Sequence, residues 1–461
     1  MGNISGITYE SSGVSIRDQN WVNREVVERL KKFGMKVDGL FGGAVDISSY
    51  KENVYIELTG ASIMIDAPTT KSAGTFTAER AFRRISGKPL GVLDYFASPF
   101  MDKRVVDFVE GVAKKSSENK TPVIGGESAQ MQNTYKEEKY DGFVHVIELN
   151  DKYSCDITNL VKDMEEPLLV ASTDGVGTKT KIVRNPLDII YHGFNDIGAL
   201  GVKPVAFGIY IAGNVPENEL TEIEKKSDIA CKDLGIFKMK PMVEQKTDTY
   251  IHGEVDIAGT VLGVIDAKNL ITGENVKEGD AIIGIGVDAL MTNGYTLARK
   301  IGEEIVEDWN APMKEFGGKS FREELSKPHV PMTDILFGAE DVDGILSKYP
   351  GSVKATAHIT GGGQEDNIKR MVPDGLCAEV ERVLPIPPAM KFFIENGLDI
   401  EEAYRTFNMG VGFTLTVPEE KSDEIVDYIN KNFRDRLWWC KRTAAKIGEI
   451  VRNDDKKFVF R

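Results

Sequence analysis

Four short motifs in this 461-residue chain combine residue types that handle phosphate and a divalent cation. Asp174-Gly175-Val176-Gly177-Thr178-Lys179 follows the apolar run Leu168 to Ala171. Glycines there let a backbone approach a phosphate, Lys179 supplies positive charge, and Asp174 can hold a Mg2+ that bridges phosphate oxygens. The same residues also read as a plain glycine turn between strand and helix. Asn195-Asp196 falls in the helical pattern that follows, where the carboxylate can reach the same ion. Gly125-Gly126-Glu127 ends a strand pattern and presents one carboxylate from a turn. In His358-Ile359-Thr360-Gly361-Gly362-Gly363, three glycines precede the helical pattern Glu365 to Met371, which reads as an anion site at a helix N-terminus.

The elements that must position these motifs come twice. Gly87-Lys88-Pro89-Leu90-Gly91-Val92-Leu93-Asp94-Tyr95-Phe96-Ala97 is echoed by Gly201-Val202-Lys203-Pro204-Val205-Ala206-Phe207-Gly208-Ile209-Tyr210-Ile211-Ala212. The offset is roughly 115 residues, far above any solenoid period. Upstream, Ile65-Asp66-Ala67-Pro68-Thr69-Thr70-Lys71 parallels the segment Thr173 to Lys179. Downstream, Pro122-Val123-Ile124 parallels Pro241-Met242-Val243, and Tyr135 and Asp141 parallel Tyr250 and Asp256. Each copy reads as strand, helix, strand, helix and two closing strands, with helices expected at Asp102 to Lys115 and Glu217 to Leu234. From Asp280 onward nothing repeats. Strands such as Ala281 to Gly286 alternate with helices such as Leu297 to Trp309, an α/β pattern.

Composition narrows the class. A net charge of −15 argues against a nucleic-acid partner, which needs a basic face, but not against anionic small molecules held by local loops. Cys155, Cys231, Cys377 and Cys440 are scattered without CxxC spacing, so neither a disulfide framework nor a zinc site is expected. The start of the chain has no apolar signal core, and Gly6 stands where the myristoylation pattern wants Ser or Thr. No apolar run is long enough to span a membrane. The expected setting is cytoplasmic, with no membrane partner. His145, His192, His252 and His329 carry no metal-ligand spacing and read as structural or surface residues, and Trp438-Trp439 as packing.

Taken in order, the motifs resemble the phosphoribosylformylglycinamidine cyclo-ligase (aminoimidazole ribonucleotide synthetase) family. The matching segments are Tyr9 to Val14, Gly39 to Gly43, the Asp174 loop, Asn195-Asp196, Asn293-Gly294-Tyr295, His358 to Gly363, and Tyr404-Arg405-Thr406-Phe407-Asn408-Met409-Gly410-Val411-Gly412. The resemblance covers nearly the whole chain. It implies an ATP-dependent ring closure in purine biosynthesis: ATP phosphorylates the formyl amide oxygen of formylglycinamidine ribonucleotide, and a nitrogen then displaces phosphate to close the imidazole. It implies ATP and Mg2+ as cofactors and a small ribonucleotide as substrate. Catalytic roles would fall to His358, Asp196 and Lys179. ATP and its phosphates would lie on Asp174, Gly175, Gly177, Thr178, Lys179, Asn195, Gly361, Gly362, Gly363, Gly42 and Gly43. The substrate would meet Asn293, Gly294, Tyr295, Arg405 and Asn408, and the metal Asp174, Asp196 and Glu127.

The family has one N-terminal domain of this type and works as a homodimer whose N-terminal domains pair into a central barrel. This chain instead carries two copies before one C-terminal domain. The expected architecture is α/β of the α+β kind: an N-terminal arm over 1–52, domain copies over 53–150 and 151–268 pairing into a central β-barrel with outer helices, and a C-terminal domain over 269–461. A monomer with an internal pseudo-dimer is expected, a homodimer remaining open. The copies differ in complementary ways. The first keeps Gly125-Gly126-Glu127-Ser128-Ala129-Gln130-Met131 but has Asp66-Ala67-Pro68 for the Asp loop and Ala81-Phe82 for Asn-Asp. The second keeps Asp174 and Asn195-Asp196 but reads Glu244-Gln245-Lys246 for Gly-Gly-Glu. One working site, built from Glu127, Asp174 and Asp196, would face a dead one built from Asp66, Phe82 and Lys246.

Three segments depart from the family: Met291-Thr292 where it has His, Pro328-His329-Val330-Pro331-Met332 where it has Pro-Thr-Arg-Ile-Tyr, and Glu10 where it has Lys. They lie near ribotide or nucleotide in the family. The rival readings are another ATP-dependent amide- or amidine-activating synthetase of the superfamily, or a catalytically decayed ATP-binding regulator.

Overall fold

The structure is a computed structural model, and it describes residues 4, 6–12, 14, 16–35, 42–63, 69–150 and 154–461. The chain divides into two units, one of Val14–Gly193 with Val202–Leu270, the other of Met1–Gly13, Phe194–Gly201 and Ile271–Arg461.

The first unit runs α1 (Ile16–Lys32), β1 (Gly43–Asp46), β2 (Tyr55–Ser62), α2 (Thr70–Phe82), β3 (Lys88–Ser98), α3 (Lys103–Glu118), β4 (Val123–Gln130), β5 (Asp141–Leu149), β6 (Cys155–Asp156), α4 (Thr158–Val161), β7 (Pro167–Gly175), the start of α5 (Leu187–Gly198), β8 (Lys203–Gly213), α6 (Glu217–Asp233), β9 (Phe237–Lys238), β10 (Met242–Gln245) and β11 (Val255–Asp266). Side-chain alternation explains the layering. On β3, Leu93, Tyr95 and Ala97 turn to one face while Val92 and Phe96 turn to the other, as successive strand residues must. The Val92 face packs with Val105, Phe108, Val109 and Val112 of α3, and α1 adds Val22 and Leu30 to the same core. Thr69 closes the start of α2 with a capping box, and the Asp102 side chain caps α3.

Two sheets result, ordered β4-β3-β5-β2-β6 and β1-β7-β11-β8-β10, with β9 on β8. The orders correspond strand for strand: β4 with β10, β3 with β8, β5 with β11, β2 with β7. The pairings match too, parallel for β3–β4 and β8–β10, antiparallel for the others of the two sets. The outermost strands are exchanged. β1, which precedes the first set, pairs with β7, and β6, which precedes the second, pairs with β2. The inner faces share cores, Leu58, Leu93 and Ile147 from one sheet meeting Leu169, Ala206 and Leu262 from the other. At the other end Tyr95, Phe143, Tyr210 and Tyr250 fill the interior.

The second unit holds a six-stranded sheet, ordered β15-β17-β12-β18-β16-β19. Its strands are β12 (Ala281–Gly286), β15 (Ala355–His358), β16 (Leu376–Val380), β17 (Val411–Val417), β18 (Thr443–Arg452) and β19 (Phe458–Phe460), beside a small ribbon of β13 (Gly338–Ala339) and β14 (Val342–Asp343). Every residue of β12 is buried, as suits a strand flanked on both edges and covered on its faces. The helices are α7 (Tyr295–Ile305), α8 (Phe321–Leu325), α9 (Thr333–Phe337), α10 (Ile345–Lys348), α11 (Gly363–Ile368), α12 (Pro388–Glu395), α13 (Ile400–Thr406) and α14 (Glu419–Asn432). Helix α7 begins two residues before the expected Leu297, because Gly294 takes a left-handed turn, φ 78°, at its N-cap. The chain is therefore mixed α/β. All four cysteines are buried and free. Trp438, expected to pack, is 92% exposed and meets Trp439 in a T-shaped pair. Among the described residues no helix is long and apolar enough to cross a membrane.

Candidate functional site

The Asp174 loop leaves the end of β7 and enters a 3-10 turn, Gly177–Lys181. Asp174 Oδ1 accepts the Gly175 N–H at 2.5 Å, and Oδ2 lies 2.8 Å from His192 Nε2 on α5. Its side chain stays partly open, so a carboxylate edge faces outward. Gly177 has φ +64° and open space where a Cβ would sit, which suits a backbone presented to a phosphate. Gly175 has a different reason for being glycine: a Cβ there would run into the Tyr95 phenol. Lys179 departs from expectation. It is fully buried, with Nζ 2.7 Å from Asp188 Oδ1, and burial lowers its pKa against the pull of that carboxylate. Its charge is spent inside the fold, tying the turn to α5, and is not held out to a phosphate. Thr178 is buried beside it.

Glu127 lies on β4, half-buried, directly opposite Tyr95 of β3 in the ladder. Strand β4 lies beside β7. Glu127 and Asp174 therefore both border Tyr95, whose phenol feels the Asp174 charge. The ladders also correct the pairing of the repeats. Tyr210, the counterpart of Tyr95, faces Met242, so Met242 and not Lys246 stands where Glu127 stands in the first set. Asp174 faces Gly259 on β11, and the corresponding residue of β5, Val144, faces Ala61. Ala61 is thus the structural counterpart of Asp174. Asp66 lies outside the described residues. One side carries Asp174 and Glu127, and the other carries Ala61 and Met242.

Lys246 occupies the place of Met131 instead, and the two residues close their strands with the same hydrogen bond, Lys246 N to Gly213 O and Met131 N to Ser98 O, each 2.9 Å. Between them lies a buried, near-symmetric set of acids and phenols. Tyr210 and Tyr250 each donate to Asp141 Oδ2 at 2.7 Å, and Lys246 Nζ donates to Asp141 Oδ1 at 2.6 Å. On the mirror side Tyr95 and Tyr135 donate to Asp256 Oδ2 at 3.1 and 3.0 Å, and Met131 takes the place of the ammonium. Without that cation, burial and the nearby Asp141 push the Asp256 carboxyl up to about 7. The halves meet at His145 and Thr260, themselves 115 residues apart, whose Nδ1 and Oγ1 are 2.9 Å apart. Burial lowers the His145 pKa to about 3, so it is neutral there.

Gly43, expected on phosphate, is a ladder residue opposite Ala171, and a Cβ there would run into the Ile124 carbonyl. Close packing explains that glycine. Gly42 immediately precedes β1, and the rest of that loop, 36–41, lies outside the described residues.

In the second unit, His358 ends β15 and is wholly buried. Its Nδ1 is 2.7 Å from Asp196 Oδ1, and its Nε2 is 3.1 Å from His329 Nε2. His329 Nδ1 meets Thr292 Oγ1 at 2.8 Å. The two segments that depart from the family, 291–292 and 328–332, therefore touch: a histidine missing from the first is present in the second. Asn195 is committed to the same cluster. Its Oδ1 accepts from Met332 N and its Nδ2 donates to Val330 O, both at 2.9 Å, and Nδ2 also lies 3.0 Å from His329 Nε2, so the amide is turned to this cluster. Asn195 clamps the segment that carries His329.

The glycine triplet follows His358. Gly362 and Gly363 have φ +86° and +65° and close neighbours, whereas the nearest atom to a Cβ on Gly361 is Asn293 Oδ1, at 3.6 Å. Asn367 Nδ2 donates to Gly363 O at 2.7 Å and Gly361 O at 3.2 Å, holding the loop in shape. The Asn293 Nδ2 is a buried donor with no hydrogen-bond partner among the described residues. The other expected substrate residues divide. Tyr295 donates to Leu325 O at 2.7 Å from a buried position, Gly294 packs against Phe407, and Asn408 is buried with its amide spent on Ala289 O and Gly410 N at 2.9 Å each. These three are committed to contacts inside the unit. Arg405 is exposed at the end of α13, with no ion pair among the described residues.

His192, His329 and Asn367 were not read from sequence as site residues. The one local signal was the spacing of His192 and Asp196, one helical turn apart on α5.

Two family models match the chain. The AIR synthase related protein, C-terminal domain, matches residues 277–460, and the AIR synthase related protein, N-terminal domain, matches 85–147 and 158–265. A phosphoribosylformylglycinamidine cyclo-ligase of Acetivibrio thermocellus is 34% identical over 324 residues, 67% of this chain and 86% of that one. That of Alkaliphilus oremlandii is 33% identical over 301 residues, 63% of this chain and 84% of that one. The crystal structure of Escherichia coli HypE, a hydrogenase maturation protein, aligns with a TM-score of 0.47 at 18% identity, over 68% of this chain and 87% of that one. With both domain models matched and relatives of this identity spanned over most of their length, the chain is an enzyme of the AIR synthase related family.

Proposed function

We propose that the enzyme closes the imidazole ring of aminoimidazole ribonucleotide from formylglycinamidine ribonucleotide, at the expense of ATP. The curated relatives bear the name of that activity. The observation that carries the reading is the asymmetry of the two strand sets. One pairs Glu127 with Asp174 around Tyr95, and the other has Met242 and Ala61 at the corresponding places. We read the sets as two copies of one domain closing on each other as a barrel, an internal pseudo-dimer with a single nucleotide site.

In this reaction the γ-phosphoryl group of ATP passes to the formyl amide oxygen and ADP leaves. A substrate nitrogen then attacks that carbon, the C–O bond breaks, phosphate departs and the ring closes. Glu127 and Asp174 are hard oxygen donors and fit a Mg2+. Bound there, the cation would neutralise charge on the triphosphate. Gly177 presents backbone to phosphate, and Gly361 with the Asn293 amide offers a polar edge to a ligand. His358 is held by Asp196 and His329, in a state suited to stabilising charge or moving a proton. Asp196 is also a candidate cation ligand, tested by its asparagine variant.

Steady-state release of ADP from Mg-ATP that depends on formylglycinamidine ribonucleotide, with imidazole formed in equal amount, tests the proposal. ADP release without dependence on that ribonucleotide would move the enzyme to another amide- or amidine-activating reaction. Nucleotide binding without any turnover would favour the regulator.

A further inference from the structure

We propose that Tyr95, held by Asp256, is a positioning residue that sets the Asp174–Gly175 corner against strand β4, and that its mirror image Tyr210 serves the fold alone. The inference rests on the reading of Glu127 and Asp174 as the cation-holding pair.

Tyr95 is wholly buried and stacks on Phe143, with ring centroids 5.4 Å apart. The end of its phenol sits where a side chain on Gly175 would be, so the corner that carries Asp174 rests directly on it. In the ladder Tyr95 faces Glu127. One rigid ring thus abuts the backbone next to one acid and pairs with the strand residue that carries the other. The ring is fixed by its hydroxyl, which donates to Asp256 Oδ2 at 3.1 Å, while Tyr135 fixes the same oxygen at 3.0 Å. Groups that orient ligands from behind control metal affinity through geometry.

The mirror side supplies a control within the same molecule. Tyr210 is equally buried and donates to Asp141 at 2.7 Å, yet it faces Met242, and the strand end opposite carries Ala61 and Ser62. That side is also tied shut. Lys246 joins Asp141 to Glu244 (3.2 Å), and Ser62 donates to Glu244 at 2.6 Å. Loss of either phenol hydroxyl removes one hydrogen bond to a buried acid, and at Tyr210 also one accepted from Lys246 Nζ at 3.0 Å, but only Tyr95 has the Asp174 corner and Glu127 beside it.

The test is Mg2+-dependent ADP binding by titration calorimetry on the full chain, with thermal unfolding measured alongside, for wild type, Tyr95→Phe and Tyr210→Phe. The expected result is loss of thermal stability in both variants, no smaller in Tyr210→Phe, with the Mg2+-dependent affinity falling on the order of ten-fold in Tyr95→Phe only. Asp256→Asn, which keeps an acceptor for the phenol, should retain most of the affinity. Equal affinities in Tyr95→Phe and Tyr210→Phe would overturn the inference while leaving the nucleotide site intact. No Mg2+-dependent binding in the wild type would overturn the site reading itself, and the inference with it.

Discussion

Lys246 places its ammonium 2.6 Å from Asp141, both inside the fold, and it does so from the position that Met131 holds on the mirror side. Removing one member of a buried pair strands the other charge. Lys246→Met should therefore cost about 3–5 kcal/mol of stability by urea unfolding. Nucleotide affinity should stay unchanged, because this side lacks both acids. A matching loss of ADP affinity at full folding would show that the side is in use.

Glu127→Gln and Asp174→Asn should each lower kcat/KM at least about a hundred-fold, since a bound cation stabilises transferred charge by several kcal/mol. Met242→Ala should leave kcat/KM of the folded enzyme within about two-fold of wild type, because this partly buried thioether offers the nucleotide neither charge nor donor. Steady-state kinetics over a Mg2+ series checks both. Full activity in Glu127→Gln would remove the composite site.

His329→Leu should lower turnover at least about ten-fold while costing about 1–3 kcal/mol, because buried partners in Thr292, Asn195 and His358 lose a hydrogen-bond group. Turnover and thermal unfolding, measured on one preparation, separate the two effects. If stability falls and turnover per folded molecule does not, the histidine pair is only a strut.

The contribution of Asp256 to stability should fall as pH rises from about 4 to about 7, opposed by that of the neutral buried His145, which rises through the same window. Asp256 is faced by Tyr95, Tyr135 and Asp141, and its pKa is raised from 3.8 to about 7, so across this window the folded chain keeps a proton that the unfolded chain has released. The stabilisation is complete below the ordinary carboxyl pKa and gone above the raised one. Asp94, raised to about 7 by burial, acts in the same direction. Denaturant unfolding at several pH values should show wild type losing stability relative to Asp256→Asn as pH rises through this window. An identical slope in that variant would mean that Asp256 is ionised in the fold.

Much of this architecture is legible in the sequence. The Lys-Pro, Tyr and Ala echoes lie on β3 and β8, where a buried alternating pattern leaves little freedom, and the Asp174 and His358 motifs do sit at strand ends. The alignment of β4 with β10 was not legible. Strand β9 is the counterpart of the start of β4, Lys238 facing Phe207 as Val123 faces Val92, so matching Pro122 to Pro241 slides the frame by four residues. An even slide keeps the same side chains facing in, so alternation cannot expose the error. Only the ladder, with Tyr210 opposite Met242, reveals it. The fates of Lys179, Asn195 and Asn408 were hidden for another reason. Each has a partner distant in space or committed by packing, and residue type alone does not say whether a donor is still available.

The exchanged outer strands bear on how the chain is made. β6 finds its partner β2 already synthesised, but β1 needs β7, with Gly43 opposite Ala171. At ribosomal rates of about 5–20 residues per second, β1 waits on the order of ten seconds for its partner to emerge. A nascent chain stalled before β7 has a Gly43–Asp46 segment with no ladder to join, which makes that interval the time when a chaperone or a neighbouring nascent chain can capture it.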